Sequence, residues 1–105
     1  MSSQEEACEN PMDHATRLRR YIRMIEDYLD GRMATGAFAR TFFHTFHDDP
    51  GGWSQGIYDA LNSVATACES YSPGRPKSEF DVSGAQLREE CDQRLGELRR
   101  LARAI

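Results

Sequence analysis

The chain has 105 residues, of which 39% are hydrophobic and 29% charged, and it carries a net charge of −4. This length suits one domain with one core, and no apolar run approaches the roughly 18 residues that a membrane span requires. The composition therefore predicts a soluble protein without membrane association, and the acidic balance disfavours direct binding to nucleic acid. Because no secretory signal is recognisable, the protein is expected to be cytoplasmic.

The N-terminal segment differs from the rest of the chain in composition. Residues 1–12 are polar and acidic and lack the basic and apolar regions of a secretory signal, which predicts a disordered tail followed by a single helical domain over residues 13–105. The three cysteines, Cys8, Cys68 and Cys91, form no C-x-x-C pair and are odd in number. Free thiols in a reducing compartment are therefore favoured over disulfides.

Apolar residues recur at steps of three and four within residues 13–31, which predicts an amphipathic first helix with Asp13 as its N-cap and Gly31 after its last turn. Residues 17–23, RLRRYIR, are basic, and Tyr21 falls in the apolar stripe rather than among the arginines. A solvated basic face is the favoured interpretation, and the alternative is a helical interaction module that binds a partner through this face.

A second helix is predicted from Thr35, a plausible cap, to the helix-breaking sequence DDPGG. Its phenylalanines at positions 38, 42, 43 and 46 are expected to face the core. His44 and His47 could bind a metal together with Asp48 or Asp49, but no fourth ligand is apparent. The favoured interpretation places both histidines at the helix end, near the carbonyl dipoles, without metal or cofactor.

Ser54 could cap a third helix, and Ser83 with Gln86 forms the capping-box pattern of a fourth. In the long connection between them, Phe80 or Val82 is expected to pack on the core. Four amphipathic segments without strand-like alternation predict an all-α, antiparallel four-helix bundle. The apolar positions of the third helix are Ile57, Leu61, Val64, Ala65 and Cys68, and those of the fourth are Leu87, Cys91, Leu95, Leu98 and Ala102.

The chain contains no catalytic sequence signature. There is no G-x-S-x-G, no H-E-x-x-H and no glycine-rich phosphate loop between a strand and a helix. The sequence therefore predicts that the protein is not an enzyme.

The middle of the chain is acidic, with nine acidic residues against three basic ones from His44 to Asp92. Acids near the start of the fourth helix suit its dipole, but those in the loops have no such explanation. An acidic surface edged by Trp53 and Tyr71 would attract a strongly basic protein partner.

The order of several motifs resembles the colicin D immunity family of bacterial self-protective immunity proteins, which includes those of contact-dependent inhibition systems. The resemblance rests on Phe38, Phe42 and Phe46, on IYDALNSV at residues 57–64, and on ESYSP and EFDVSGAQLR at residues 69–73 and 79–88. It implies an all-helical protein without enzymatic activity that stays in the cytoplasm and neutralises a cognate toxin.

The best-known member of that family plugs the active site of a tRNA-cleaving toxin with acidic residues that follow its third helix. Glu69, Tyr71 and Pro73 match its phrase E-x-aromatic-x-P, whereas Ser72 and Gly74 stand where further acids would be expected. The resemblance and the charge pattern together predict a nuclease-type toxin with a basic active site as partner. The residues predicted to bind it are Asp48, Asp49, Trp53, Asp59, Glu69, Tyr71, Glu79 and Asp81.

Overall fold

Four α-helices form a closed bundle. The computed structural model describes residues 12 to 72 and 82 to 104, and this part of the chain contains no β-strand. Each helix packs against the next along the chain, and the first also packs against the fourth, which confirms the predicted four-helix bundle. The helices are α1 (Met12–Leu29), α2 (Thr35–His47), α3 (Gln55–Ser70) and α4 (Gly84–Ala102).

The first helix starts earlier than predicted and ends where predicted. The expected disordered tail lies outside the described residues except for Met12, where α1 begins, so Asp13 lies inside the helix and is not its N-cap. Gly31 follows α1 with φ of +84°, as its position after the last turn predicted. No helix of the described chain is long and apolar enough to cross a membrane.

The predicted apolar stripes form the core, because burying one stripe from each helix removes the largest apolar area from water. Cys68 and Cys91 are free thiols within it, as predicted, and Cys8 lies outside the described residues. The largest fully buried side chains are those of Tyr21, Phe38, Phe42, Leu18, Ile25, Leu61, Leu87, Leu98, Val64 and Cys91.

The prediction for the phenylalanines of α2 was wrong for two of the four. Phe38 and Phe42 are fully buried, but Phe43 and Phe46 are only half-buried and contact the edge of the core. At about 100° per residue, Phe43 lies about 140° round the helix from Phe38, at the edge of the stripe, whereas Phe46 lies in the last turn of α2, where the helix ends. The outer pair contributes to a surface groove described below.

The helix starts were predicted with mixed success. Ser83 caps α4 as predicted, since its hydroxyl accepts the Gln86 N–H at 3.1 Å and the Gln86 side chain accepts the Ser83 N–H at 2.8 Å. Ser54 occupies the N-cap of α3 but makes no side-chain capping bond. The cap of α2 is Ala34, not Thr35, whose hydroxyl instead lies 3.4 Å from the Tyr28 hydroxyl.

Two backbone hydrogen bonds join the two ends of the long α3–α4 connection. The Ser72 N–H donates to the Val82 carbonyl at 3.0 Å, and the Val82 N–H donates to the Ser70 carbonyl at 2.9 Å. Val82 also packs on the core just before the Ser83 cap, which confirms the expected apolar staple, while Phe80 lies outside the described residues. The end of α3 is thereby held beside the start of α4.

Candidate interaction surface

The α2–α3 turn is specified by its own residues. The Gly51 N–H donates to Asp49 Oδ1 at 2.7 Å, and Gly51 and Gly52 have φ of +85° and +83°. Glycine adopts these angles without the steric cost that a side chain would bring. A Cβ on Gly52 would also lie 3.2 Å from His14 Nε2. The sequence DPGG therefore folds into a tight reversal against α1.

Asp49 joins this turn to α1. Its carboxylate accepts hydrogen bonds from Arg17 Nη2 at 3.1 Å, from the Tyr21 hydroxyl at 2.7 Å and from Trp53 Nε1 at 3.1 Å. The side chain is only 6% exposed, and its ion pair with Arg17 supplies the compensation that a buried charge requires. We refer to Asp49, Arg17, Tyr21, Gly51 and Trp53 as the Asp49 hub.

Trp53 is held within the hub on several sides. The Arg17 guanidinium lies 4.5 Å from its ring centroid, and the rings of His14 and Tyr21 meet it edge-on at 5.2 and 6.2 Å. Arg17 also donates to the Gly51 carbonyl at 2.9 Å. These contacts give Trp53 and Asp49 an intramolecular role that the sequence pattern did not suggest.

Burial raises the pKa values of three groups, Tyr21 in the hub and two cysteines in the core. Burial raises the pKa of the Tyr21 hydroxyl above the ordinary value of 10.0, and the hydrogen bond to the Asp49 carboxylate raises it further. In the core, burial raises the pKa of Cys68 from 9.0 to about 12 and also raises the pKa of Cys91. All three groups are more readily ionised in the unfolded chain than in the folded one.

Alkaline conditions should therefore destabilise the fold. Because the folded-state pKa values of Tyr21, Cys68 and Cys91 are raised, their stabilising effect is complete below the unfolded pKa values and is lost as the pH rises above them. We expect the free energy of unfolding to fall above about pH 9, by up to about 1.4 kcal/mol per pH unit for each titrating group. Urea denaturation under reducing conditions between about pH 7 and 10.5 measures this slope.

The matched variant carries alanine at both Cys68 and Cys91. Its stability at neutral pH will be lower because methyl groups replace larger core side chains, but its decline should begin about one pH unit later, since only Tyr21 then titrates. An unchanged pH profile in this variant would contradict the assignment to the buried thiols.

A groove runs along the outside of α2 and α3. Its first half has a volume of about 350 Å³ and the second about 340 Å³, and the two halves share Phe43 and Glu69. We call this the α2–α3 groove. The first half is lined by Phe43, Phe46, His47, Asp49, Gly51, Trp53, Tyr58, Asn62, Ala65, Thr66 and Glu69, and the second adds Gly36, Ala39, Arg40, His44, Cys68 and Tyr71.

The residues predicted to bind a partner differ in their exposure. Asp48, Asp59 and Glu69 are exposed, at the end of α2 and on α3, whereas Asp49 is enclosed in the hub. Tyr71 is half-buried beyond the end of α3 and lines the groove. Glu79 and Asp81 lie outside the described residues. The α2–α3 face, as we name it, comprises Asp48, Asp59, Glu69, Tyr71 and the groove.

Acidic side chains predominate on this face, although Arg40 lines the second half of the groove. The sequence has no lysine or arginine between Arg40 and Arg75. None of the three exposed carboxylates takes part in an ion pair within the described chain; Asp59 accepts only from the Gln55 amide, at 2.7 Å. On α1 and α4, by contrast, Arg99 pairs with Glu26 at 2.8 Å and Arg94 pairs with Glu97 at 2.8 Å.

The histidines of α2 lie where the sequence interpretation placed them. His44 and His47 are exposed in the last turn, and both rings contact Phe43. Among the described residues, no three histidine, cysteine, aspartate or glutamate side chains lie close enough together to hold a metal ion.

A family model described as bacterial self-protective colicin-like immunity matches residues 16–98 of this sequence. The chain belongs to that family. No curated protein and no solved structure gives a significant match to it. As a colicin-like immunity protein, the molecule serves to neutralise a toxin, and the resemblance drawn from its motifs is confirmed at the level of the family.

The groove of this immunity protein was missed by the sequence interpretation. Its walls are Phe43 and Phe46, which had been assigned to the core, and Tyr58, which lies beside Ile57 at the edge of the apolar stripe of α3. One signal was present for Phe43, which directly follows Phe42 and so lies one position outside the four-residue repeat of Phe38, Phe42 and Phe46. Such a position is half-exposed on an amphipathic helix and suits a binding surface.

Proposed function

We propose that this immunity protein binds the cytotoxic domain of a cognate bacteriocin or contact-dependent inhibition toxin and occludes its basic active site. The observation that supports this most directly is the α2–α3 face, where Asp48, Asp59 and Glu69 are exposed without ion-pair partners beside an aromatic groove. Glu79 and Asp81, which lie outside the described residues, are further residues proposed to bind the toxin.

The chemistry favours a toxin of the nuclease type, with tRNA as one substrate that the family resemblance suggests. An enzyme that binds nucleic acid carries lysine and arginine where the phosphates lie. Carboxylates presented at the same positions would pair with these cations and exclude the substrate. Their long-range field would also speed encounter with the toxin.

Specificity would come from a few packed side chains rather than from the charges. Tyr71 is half-buried at the end of α3, and Trp53 is held against α1 by Arg17 and Asp49. Aromatic residues held in this way bury much area at little entropic cost, and they dominate the binding energy of many interfaces. The partner is thus steered by carboxylates and retained by aromatic contacts.

The proposed action is stoichiometric and involves no catalysis, cofactor, metal, membrane or direct contact with nucleic acid. It takes place in the cytoplasm of the cell that makes the toxin. Either a monomer or a dimer could present the α2–α3 face.

Charge reversal on this face tests the proposal. Asp59→Lys combined with Glu69→Lys should weaken binding to the cytotoxic domain encoded beside this gene by about 100-fold, because two carboxylates that face a basic surface become repulsive. Both residues are exposed, so the thermal midpoint should stay nearly unchanged. Titration calorimetry and growth rescue on co-expression with the toxin measure the effect.

The matched control reverses Glu89 and Asp92, two exposed acids on α4. This variant has the same net charge as the first, so it removes the same long-range attraction without touching the α2–α3 face. We expect its affinity to stay within about fivefold of the wild type, which is typical of charges at the rim of an interface or beyond it. Equal losses in both variants would show that only net charge matters.

A second candidate is a helical interaction module that acts through the basic face of α1. It is favoured by Arg19, Arg20 and Arg23, which are exposed, although Arg17 is engaged by Asp49. Reversing these three arginines to glutamate should leave toxin binding intact under the leading proposal and abolish partner binding under this one. The absence of a toxin gene next to this gene would also favour the module.

A further inference from the structure

The first half of the α2–α3 groove combines aromatic walls with a carboxylate. The ring centroids of Phe46 on α2 and Tyr58 on α3 lie 5.8 Å apart, and the two ring planes are tilted by 41°. Tyr58 is 44% exposed, more than any other large hydrophobic side chain in the described chain. Glu69 lies at the junction of the two halves, since it lines both, and Thr66 precedes it on α3 and lines the first half.

The charges around this half of the groove indicate that its occupant is a cation. Its lining includes Glu69 and Asp49 but no lysine or arginine, and Arg40 lines only the second half. Asp49 is already paired with Arg17, whereas Glu69 has no ion-pair partner within the described chain. A flexible cation with an apolar stem would complement both the rings and the carboxylate.

The molecule already holds one guanidinium group in such surroundings. Arg17 lies over the Trp53 ring at 4.5 Å while it pairs with Asp49 at 3.1 Å. Arginine suits this combination better than lysine, because its planar head stacks on aromatic faces, is weakly hydrated and forks onto a carboxylate. The groove offers the same pair of features with no side chain of the described residues filling it.

We propose that the first half of the α2–α3 groove is a socket for one arginine side chain of the toxin, with the guanidinium group held between the Glu69 carboxylate on one side and the adjoining Phe46 and Tyr58 rings on the other. This inference rests on the proposed function and adds to it the site of the central contact. The other acids then form the rim, and the groove contributes most of the binding energy.

Substitutions that fill the groove with a side chain of the immunity protein itself test the inference. Thr66 is exposed and lines the groove, so Thr66→Phe and Thr66→Arg should each occupy it without disturbing the core. We expect both variants to bind the cytotoxic domain at least about 30-fold more weakly than the wild type, the loss typical of a central contact. Thr41→Arg, an exposed threonine of α2 outside the groove, adds the same charge and should cost less than about fivefold.

A second readout locates the contact. Trp53 is the chain's single tryptophan and lines the groove, so its indole N–H gives one resonance in a spectrum of labelled immunity protein mixed with unlabelled toxin domain. This resonance should shift on complex formation in the wild type and in Thr41→Arg. A toxin domain whose exposed arginines are replaced one at a time should include one variant that loses the shift.

The outcomes separate the two proposals. If the wild type forms no complex with the toxin domain, the proposed function itself fails. If the wild type binds and Thr66→Phe binds equally well, the socket is overturned while the immunity function stands. A change in the oligomeric state of Thr66→Phe alone, with toxin affinity retained, would instead make the groove a contact between two copies of this chain and would likewise overturn the inference.

Discussion

Replacing Asp49 with alanine is expected to lower the free energy of unfolding by about 3 kcal/mol or more. The change leaves the Arg17 guanidinium, only 22% exposed, without its counter-charge and removes the acceptor of the Tyr21, Gly51 and Trp53 hydrogen bonds. Unpaired buried donors carry the full cost of their lost hydration. Urea denaturation followed by the emission of Trp53 measures the change at the hub itself.

Asp48 supplies the matched control for this prediction, because it is the same residue type one position earlier. It is exposed at the C-cap of α2, where the helix dipole disfavours a negative charge. Asp48→Ala should change the free energy of unfolding by no more than about 0.5 kcal/mol and in the stabilising direction. Similar losses in the two alanine variants would remove the hub from the account of this fold.

Phe42→Ala should be at least as destabilising as the loss of Asp49, by about 3–5 kcal/mol. Phe42 is 0% exposed, and its ring centroid lies 5.3 Å from that of Tyr21 and 5.5 Å from that of Phe38. Removing it leaves a cavity in the middle of the bundle that the surrounding helices cannot fill without losing other contacts. Chemical denaturation with two-state analysis measures the loss.

Phe43→Ala should show the opposite pattern from Phe42→Ala, with a smaller loss of stability and a larger loss of toxin affinity. Phe43 is half-buried and lines the α2–α3 groove, so Phe43→Ala should cost only about 1–2 kcal/mol of stability but weaken toxin binding. Phe42→Ala, measured under conditions where it remains folded, should retain toxin affinity. Reversed effects would mean that the groove is part of the core and not of the binding surface.

The cases of Asp48 with Asp49 and Phe42 with Phe43 mark the limit of prediction from the sequence. Each pair consists of identical neighbours, so composition and local propensity treat its two members alike. Periodicity indicates which face of the helix points inward. It does not say how far the neighbouring helix covers the edge of the apolar stripe. That distance separates a core phenylalanine from one that lines a groove.

By itself, the sequence determined the four helices, most of the stripe that each one buries and the capping box at Ser83. These features depend on residues three or four positions apart, and a helix brings such residues together without further help. The motif order was also enough to indicate the family, because it spans most of the chain. The sequence could further indicate an acidic middle, since charge is a property of composition.

Only the tertiary structure decided which acids remain available to a partner. Asp49 lies inward because Arg17 and Tyr21, which approach from another helix, supply the cation and the donor that make its burial favourable. Asp48, Asp59 and Glu69 have no such partner within reach among the described residues and stay exposed. A carboxylate is buried or exposed according to what distant parts of the chain place beside it, and local sequence does not contain that information.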